Sequence, residues 1–141
     1  MSSKEFENKT ALVTGGSRGI GRAVCLALAE SGARVAVNYI GDEKAAAATL
    51  ADVESRGARG IAVKADVADH QAVSDMVATV ENELGPIDLL VTSAGIARSE
   101  EHTEMTFGSW QKMMAVNVDG IYHRTLRCHR RDRACIRFPA R

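Results

Sequence analysis

The sequence is poor in cysteine, proline and aromatic residues, and it contains no long apolar run. Three cysteines at no regular spacing are too few, and odd in number, for a disulfide framework. Two prolines exclude collagen-like and proline-rich disordered proteins. No apolar run approaches the roughly 18 residues that a membrane-spanning helix needs, so we expect no membrane partner. Residues 1–9 are polar and unlike a secretory or organellar signal, and we therefore expect a soluble, cytoplasmic protein.

The formal net charge is zero, but the charge is distributed unevenly. Residues 1–120 carry 11 Lys and Arg against 17 Asp and Glu, whereas residues 121–141 carry seven Arg and one acidic residue. Such asymmetry can mark an arm that binds nucleic acid, or a segment whose sequence differs in character from the rest of the chain. Residues 121–141 are here called the tail.

Residues 1–120 alternate short β-branched runs with longer helical patterns. The predicted strands are residues 10–14, 34–39, 60–64 and 89–92, and the predicted helices are 19–31, 42–57, 69–84 and 106–118. Strands that alternate with helices of about 10–15 residues pair in parallel through right-handed crossovers. The pattern predicts one α/β domain built on a doubly wound parallel sheet.

Several apolar or weakly polar side chains are expected to pack rather than to take part in chemistry. Trp110, Met113 and Met114 recur at helical spacing and are predicted to lie in a core or an interface. Cys25 falls in the middle of the first predicted helix, and we expect a small buried hydrophobic residue there.

A glycine-rich turn joins the first predicted strand to the first predicted helix. Gly15, Gly19 and Gly21 give the spacing G-x-x-x-G-x-G. A glycine directly after a strand allows a tight turn, and glycines at a helix entrance let the backbone approach a diphosphate. The helix start adds unpaired N–H groups and the positive end of the helix dipole. This order of strand, turn and helix favours a phosphate-binding turn over a purely structural one.

Three further motifs follow the later strands. Asp-Val at residues 66–67 follows the third strand, Thr-Ser-Ala-Gly at 92–95 follows the fourth, and Asn117 lies within Val-Asn-Val-Asp-Gly. With the glycine turn, these motifs resemble the short-chain dehydrogenase/reductase family over residues 6–120. The glycine turn and the Asn-Tyr pair at 38–39 look most like bacterial 3-oxoacyl-carrier-protein reductases. The resemblance implies a Rossmann-type sheet of about four strands in the order 3-2-1-4 and an oxidoreductase activity.

The resemblance also implies how a nicotinamide dinucleotide is held. Asp66 and Val67 stand where the family holds the adenine, and residues 93–95 stand where it lines the ribose and nicotinamide. Thr92 and Ser93 replace the family's usual Asn-Asn, which implies weaker bracing of the sheet or weaker cofactor binding. The implied cofactor-binding residues are Gly15, Ser17, Arg18, Gly19, Ile20, Gly21, Asn38, Tyr39, Asp66, Val67, Ser93, Ala94 and Gly95.

The choice between the two nicotinamide cofactors depends on the end of the second strand. NAD-binding enzymes place Asp or Glu there, on the ribose 2′-hydroxyl. This sequence has Asn38 followed by Tyr39, and Arg18 stands in the glycine turn. An arginine with neutral donors suits a dianionic 2′-phosphate, so we predict NADP(H). The alternative is that Arg18 is a solvated surface charge.

The resemblance places Asn117 in the family's catalytic tetrad, but the serine and the Tyr-x-x-x-Lys pair have no candidate. Tyr122 is the only tyrosine after Tyr39, Leu126 stands four residues beyond it, and no lysine follows Lys112. We therefore expect a chain that ends before its catalytic half. Two hypotheses follow. One is an NADPH-dependent reductase of a 3-oxoacyl thioester or other ketone, small or bound to an acyl carrier, as in fatty acid biosynthesis. The other is a catalytically silent nucleotide-binding fragment.

Family members form homo-oligomers, usually tetramers, through helices that include the half this chain is expected to lack. Their assembly is therefore not carried over to this chain. The fourth strand is expected to form an open sheet edge, because a fifth strand normally pairs there.

The tail has neither strand nor helix periodicity, and four interpretations of it remain open. A nucleic-acid arm would offer only Tyr122 and Phe138 for stacking, and we expect no nucleic-acid partner. His123, Cys128, His129 and Cys135 lack the spacing of a metal site, so no metal is predicted. A helix continuing from Val118 would have sparse apolar positions. We favour a shifted reading frame, since GC-rich codons read out of frame yield arginine, cysteine, histidine and proline.

Overall fold

Four strands and four α-helices alternate along residues 4–96 and 103–122, the part of the chain that the structure, a computed structural model, describes. The strands are β1 (Thr10–Thr14), β2 (Arg34–Tyr39), β3 (Gly60–Lys64) and β4 (Leu89–Thr92), and the helices are α1 (Gly19–Glu30), α2 (Glu43–Ser55), α3 (His70–Leu84) and α4 (Phe107–Met114). A π-helical segment, Ala115–Asp119, continues α4. Each element begins and ends close to its predicted position.

The four strands form one parallel sheet in the order β3-β2-β1-β4, which confirms the predicted Rossmann-type topology. Leu12 of β1 lies opposite Ala36 of β2 on one side and Leu90 of β4 on the other. Because the chain moves outward through β2 and β3 and then returns to the other side of β1, the order reverses between β1 and β4. Ligands of open α/β sheets bind in the crevice at such a switch point, beyond the carboxyl ends of the strands.

The sheet separates two apolar cores, because successive side chains of a strand point to opposite faces. On one face, Val13 and Val37 pack with Cys25 of α1. On the other face, Leu12 packs with Met76 of α3. All of these side chains are at most 1% exposed. Continuous burial on both faces is typical of a central parallel strand and explains why β1 is an uninterrupted Thr-Ala-Leu-Val-Thr run.

Three of the four α-helices begin at a side chain that caps them. Asp42 accepts a hydrogen bond from Ala45 N (2.9 Å), and Asp69 accepts from two amides of the first turn of α3. Thr106 accepts from Ser109 N at the start of α4. Such caps satisfy amides that have no partner within the helix and stabilise it by about 1 kcal/mol each. They place the helix starts where the sequence predicted them.

Trp110, Met113 and Met114 were predicted to lie in a core or an interface, and within the described residues the core alternative is wrong, while the interface alternative stays a prediction. No residue of α4 is buried: Trp110 is 46% exposed, and both methionines are only half-buried. Phe107 stacks on Trp110 with ring centroids 5.8 Å apart, at the surface. The pattern gave the right helix but not its environment, because α4 contacts none of the four strands extensively.

Helical backbone continues from the π-helical segment through Tyr122. The rest of the tail lies outside the described residues, and with it the predictions for His123, Cys128, His129 and Cys135. Within residues 4–96 and 103–122, β4 pairs with β1 alone, and its Leu89, Leu90 and Val91 are only half-buried. In the same part of the chain, none of the helices has both the length and the apolar character to cross a bilayer.

Candidate functional site

The glycine turn after β1 has a conformation that side chains would prevent. Gly15 and Gly19 have φ of +64° and +56°, values that L-residues rarely adopt. A Cβ at Gly15 would lie 2.8 Å from Ala94 Cα, and one at Gly21 would lie 2.2 Å from Gly15 O. The turn is therefore pressed between the loop after β4 and the first turn of α1. A Cβ at Gly19 would meet no protein atom within 4 Å, so the backbone there faces open space.

Helix α1, which follows this turn, differs from the other three α-helices at its N-terminus. The residue at its N-cap, Arg18, makes no side-chain capping bond, and the first turn holds no acidic residue. Helices α2, α3 and α4 each have a side chain that accepts from their first N–H groups, but α1 has none. Its leading N–H groups and the positive end of its dipole therefore have no side-chain acceptor at the N-cap. A helix start of this kind suits an anion.

A cleft of about 410 Å³ opens at this helix start, at the carboxyl ends of the strands. Twelve of the thirteen predicted cofactor-binding residues line it: Gly15, Ser17, Arg18, Gly19, Ile20, Asn38, Tyr39, Asp66, Val67, Ser93, Ala94 and Gly95. The thirteenth, Gly21, is buried against Gly15 and does not line the cleft. Six further residues, which the sequence analysis did not name, complete the lining: Ile40, Gly41, Asp42, Ala65, Ile96 and Val116. For most of these six residues, the sequence offered only one indication of a place in the cleft, namely that they lie close to the end of a strand.

Asn38 lies in the cleft wall, but its carboxamide is directed at the backbone. The side chain is 2% exposed, and its Oδ1 accepts from Gly15 N at 3.3 Å. Its Nδ2 donates to Val63 O at 3.3 Å and to Ala65 O at 3.1 Å. Asn38 therefore ties the glycine turn to the end of β3, with both amide hydrogens engaged. A role as donor to a 2′-phosphate does not fit this geometry, and half-buried Tyr39 is the next side chain that faces the cleft.

Thr14, at the end of β1, connects the glycine turn to the loop after β4. Its buried hydroxyl accepts from Ser93 N at 3.2 Å and Ala94 N at 3.3 Å, and it lies 3.5 Å from Val91 O. The hydroxyl at the end of β1 thereby holds the first two amides of the loop after β4. These bonds hold part of the Thr-Ser-Ala-Gly segment, for which weaker bracing or weaker cofactor binding than in the family stays a prediction.

Asp66 and Val67 leave β3 on the side of the cleft away from β4. The Asp66 carboxylate is exposed, and its Oδ1 accepts from Ala68 N at 2.9 Å, which fixes the turn into α3. Val67 is 5% exposed, so only the edge of its side chain reaches the cleft. An exposed acceptor above an apolar edge can hold the amine and ring of a purine.

Asn117 does not line the cleft, although the sequence analysis placed it in a catalytic tetrad. Its Oδ1 accepts from Ile96 N and its Nδ2 donates to Ile96 O, both at 2.9 Å. This reciprocal pair joins the π-helical segment to the loop after β4. π-Helical turns often occur at functional sites. Here the turn carries Asn117, which holds the backbone of Ile96, a residue that lines the cleft. One amide hydrogen and one Oδ1 lone pair of Asn117 have no bond in this pair and can hold a water.

The thiol of Cys25 lies beneath the glycine turn and is fully buried. Its Sγ is 3.9 Å from Gly16 O, and a Cβ at Gly16 would lie 2.9 Å from that sulfur. Burial raises the pKa of the thiol from its ordinary value of 9.0 to about 12. Cys25 is therefore a packing residue and not a nucleophile, as predicted. Among residues 4–96 and 103–122, no three His, Cys, Asp or Glu side chains lie together as metal ligands would.

Comparison with known proteins identifies relatives along most of the chain. The family model described as short chain dehydrogenase matches residues 9–131, eleven residues beyond the boundary predicted at 120. A 3-oxoacyl-(acyl-carrier-protein) reductase of Staphylococcus epidermidis is 39% identical over 116 residues, which are 82% of this chain and 48% of that protein. An acetoacetyl-CoA reductase of Rhizobium meliloti is 44% identical over 119 residues, which are 84% of this chain and 47% of that protein. The chain spans about half the length of these curated relatives.

Solved structures are similar over the same region. A short chain dehydrogenase from Burkholderia cenocepacia, in complex with NADP, has a TM-score of 0.86 and 39% identity, covering 89% of this chain and 51% of that one. A dehydrogenase/reductase from Sinorhizobium meliloti has a TM-score of 0.87 and 37% identity, covering 92% of this chain and 51% of that one. By sequence and by fold, the chain belongs to the short-chain dehydrogenase family.

Proposed function

We propose that residues 1–120 are the NADP(H)-binding part of an oxidoreductase that reduces a 3-oxoacyl thioester, or another ketone, to the 3-hydroxy product. The cofactor's diphosphate lies against the start of α1, its adenine at Asp66 and Val67, and its nicotinamide end near residues 93–95. The substrate is a small molecule or is bound to an acyl carrier. Neither a membrane nor a nucleic acid takes part.

The observation that carries this proposal is the uncapped start of α1 within the cleft. Asp42, Asp69 and Thr106 supply oxygens to the other helix starts, and α1 has no equivalent. A diphosphate would provide the missing acceptors and negative charge. Gly19 fits the group as well, because a Cβ there would meet no protein atom within 4 Å and the backbone faces open space.

Arg18 and Tyr39 support NADP(H) as the cofactor. Arg18 is 76% exposed at the cleft, and no acidic residue occupies the last two positions of β2. A guanidinium beside the ribose favours the 2′-phosphate, which carries two negative charges. Because the carboxamide of Asn38 is engaged with the backbone, the proposal gives the 2′-phosphate to Arg18 and Tyr39.

Two of the relatives support a ketone of the 3-oxoacyl type. Their names, 3-oxoacyl-(acyl-carrier-protein) reductase and acetoacetyl-CoA reductase, share a 3-oxoacyl thioester as substrate. When bound, the nicotinamide supplies the hydride for this reduction. Asn117 keeps the loop after β4 in place and offers its remaining amide hydrogen and lone pair to a water of the proton path.

A second candidate is a nucleotide-binding chain without catalysis. It is favoured by one feature of the 141 residues: neither tyrosine is followed four positions later by lysine, since Glu43 follows Tyr39 and Leu126 follows Tyr122. Within these 141 residues, the tyrosine that the family resemblance implies as general acid for the alkoxide then has no candidate. Turnover distinguishes the two candidates, whereas both require nucleotide binding.

The test is titration of the chain with NADPH, followed by fluorescence, and an assay with an acetoacetyl thioester. Ser17→Asp adds a negative charge to the cleft just before α1, and Ser74→Asp adds the same charge to α3, away from the cleft. We expect Ser17→Asp to weaken NADPH binding by about tenfold or more through charge repulsion, with no loss of melting temperature. Ser74→Asp should bind like the unmodified chain.

Each outcome of this test has one interpretation. Binding with turnover supports the reductase, and binding without turnover supports the second candidate. If neither NADPH nor NADH binds to the folded chain, or if the two aspartate variants bind equally, the assignment of the diphosphate to α1 is wrong.

A further inference from the structure

An acidic residue lies in the cleft although none ends β2. Asp42, three residues beyond the strand, lines the cleft, and its Oδ2 is 3.9 Å from Arg18 Nη1. Its side chain is 42% exposed. Sequence reasoning recognised Asp42 only as the start of a helix, because its position relative to the strand end is not that of the usual ribose-binding acid.

The two oxygens of this carboxylate have different partners. Oδ1 accepts from Ala45 N at 2.9 Å and caps α2. The cap fixes the side-chain orientation, so Oδ2 is held on the side of Arg18. The start of α2 also favours the negative charge, because the helix dipole is positive there. The carboxylate is therefore a fixed feature of the cleft and not a surface charge that can turn away.

This arrangement opposes the preference that Arg18 alone would give. A 2′-phosphate that binds Arg18 also comes close to the carboxylate of Asp42, and these like charges repel each other. A ribose 2′-hydroxyl has no charge and can donate a hydrogen bond to a carboxylate oxygen. Asp42 therefore weakens the binding of one cofactor and assists the other.

We propose that Asp42 is a specificity-determining residue of the nucleotide site: beside Arg18, it lowers the preference for NADPH that Arg18 alone would give, so that the chain also accepts NADH. This inference rests on the proposed function, since it assigns the ribose of the same dinucleotide to the Arg18–Asp42 pair.

The experiment measures dissociation constants of NADPH and NADH for the full chain and for Asp42→Asn. Asparagine keeps the helix cap, since it is as good an N-cap as aspartate, but it removes the charge. Asp42→Ser is a second capping variant without charge. Asp69→Asn is the matched control, because Asp69 caps α3 in the same way and does not line the cleft.

We expect Asp42→Asn to tighten NADPH binding by about tenfold, the scale of a partly screened charge repulsion, and to weaken NADH binding by about twofold to threefold. The gain for NADPH should shrink in about 1 M salt, where charges are screened beyond about 3 Å. A purely structural role of Asp42 would change both nucleotides alike and would not depend on salt.

The outcomes separate this inference from the proposed function. A shift of the NADPH-to-NADH ratio in both Asp42 variants, absent in Asp69→Asn, supports it. If both nucleotides bind and the ratio stays constant in every variant, Asp42 does not set the preference, while the nucleotide site itself stands. If neither nucleotide binds to the unmodified chain, the proposed function fails and this inference fails with it.

Discussion

The position at the end of β2 offers a direct test of the role that the structure gives to Asn38. From the sequence, Asn38→Asp is the substitution that should convert an NADP(H) site into an NAD(H) site. In the structure, the same change places a carboxylate oxygen against Val63 O and Ala65 O, where an amide now donates two hydrogen bonds. We therefore expect a loss of stability without a change of cofactor.

The magnitude follows from the bonds that are lost. Two hydrogen bonds of about 1 kcal/mol each disappear, and the buried Ala65 O that loses this donor adds about 1–3 kcal/mol. We expect Asn38→Asp to lower the free energy of unfolding by about 3–5 kcal/mol, a large share of the roughly 5–15 kcal/mol of a typical domain. Urea unfolding followed by circular dichroism measures this loss.

Two comparisons make the test specific. Asn82→Asp, at an exposed position of α3, should change the free energy of unfolding by no more than about 0.5 kcal/mol. Tyr39→Asp, at the half-buried residue that faces the cleft, should raise the preference for NADH, because a carboxylate there can accept from the ribose 2′-hydroxyl. A stable Asn38→Asp variant that prefers NADH would refute the bracing role of Asn38.

Two further predictions concern buried groups beside the cleft. The pKa of the Cys25 thiol in the folded chain lies above its ordinary value of 9.0. Below pH 9 the thiol is protonated in both states, so it should not change the free energy of unfolding. As the pH rises from 9 towards about 12, the unfolded state loses this proton more readily, and stability should fall. The free energy of unfolding of Cys25→Ala, measured across this range, should show a smaller decline; equal declines would contradict the burial effect. Asn117→Ala should break both bonds to Ile96 and speed hydrogen exchange of the Ile96 amide by about thirtyfold, since the two bonds together contribute about 2 kcal/mol. Unchanged protection of that amide would show that the loop is held by other contacts.

The strand order came from the family resemblance, whereas the alternation of β-branched runs with helical patterns determined the fold class and the parallel pairing of the strands. These features depend on local periodicity and on the handedness of crossovers, which a sequence contains. The helix starts were also predictable, since Asp42, Asp69 and Thr106 act on amides two to three residues away. The glycine turn was recognisable for the same reason, because its conformation follows from residues adjacent in the chain.

What a side chain faces was decided only by the tertiary structure. Asn38 is directed at the backbone because β3 lies beside β2, and Asp42 meets Arg18 because two loops from different βα units converge, 24 positions apart in the sequence. Likewise, Trp110 has an apolar spacing that fits a core, yet α4 lies at the surface of the described residues. Periodicity indicates which residues share a face of a helix or strand, but the partners of that face come from distant parts of the chain, and a single sequence does not contain them.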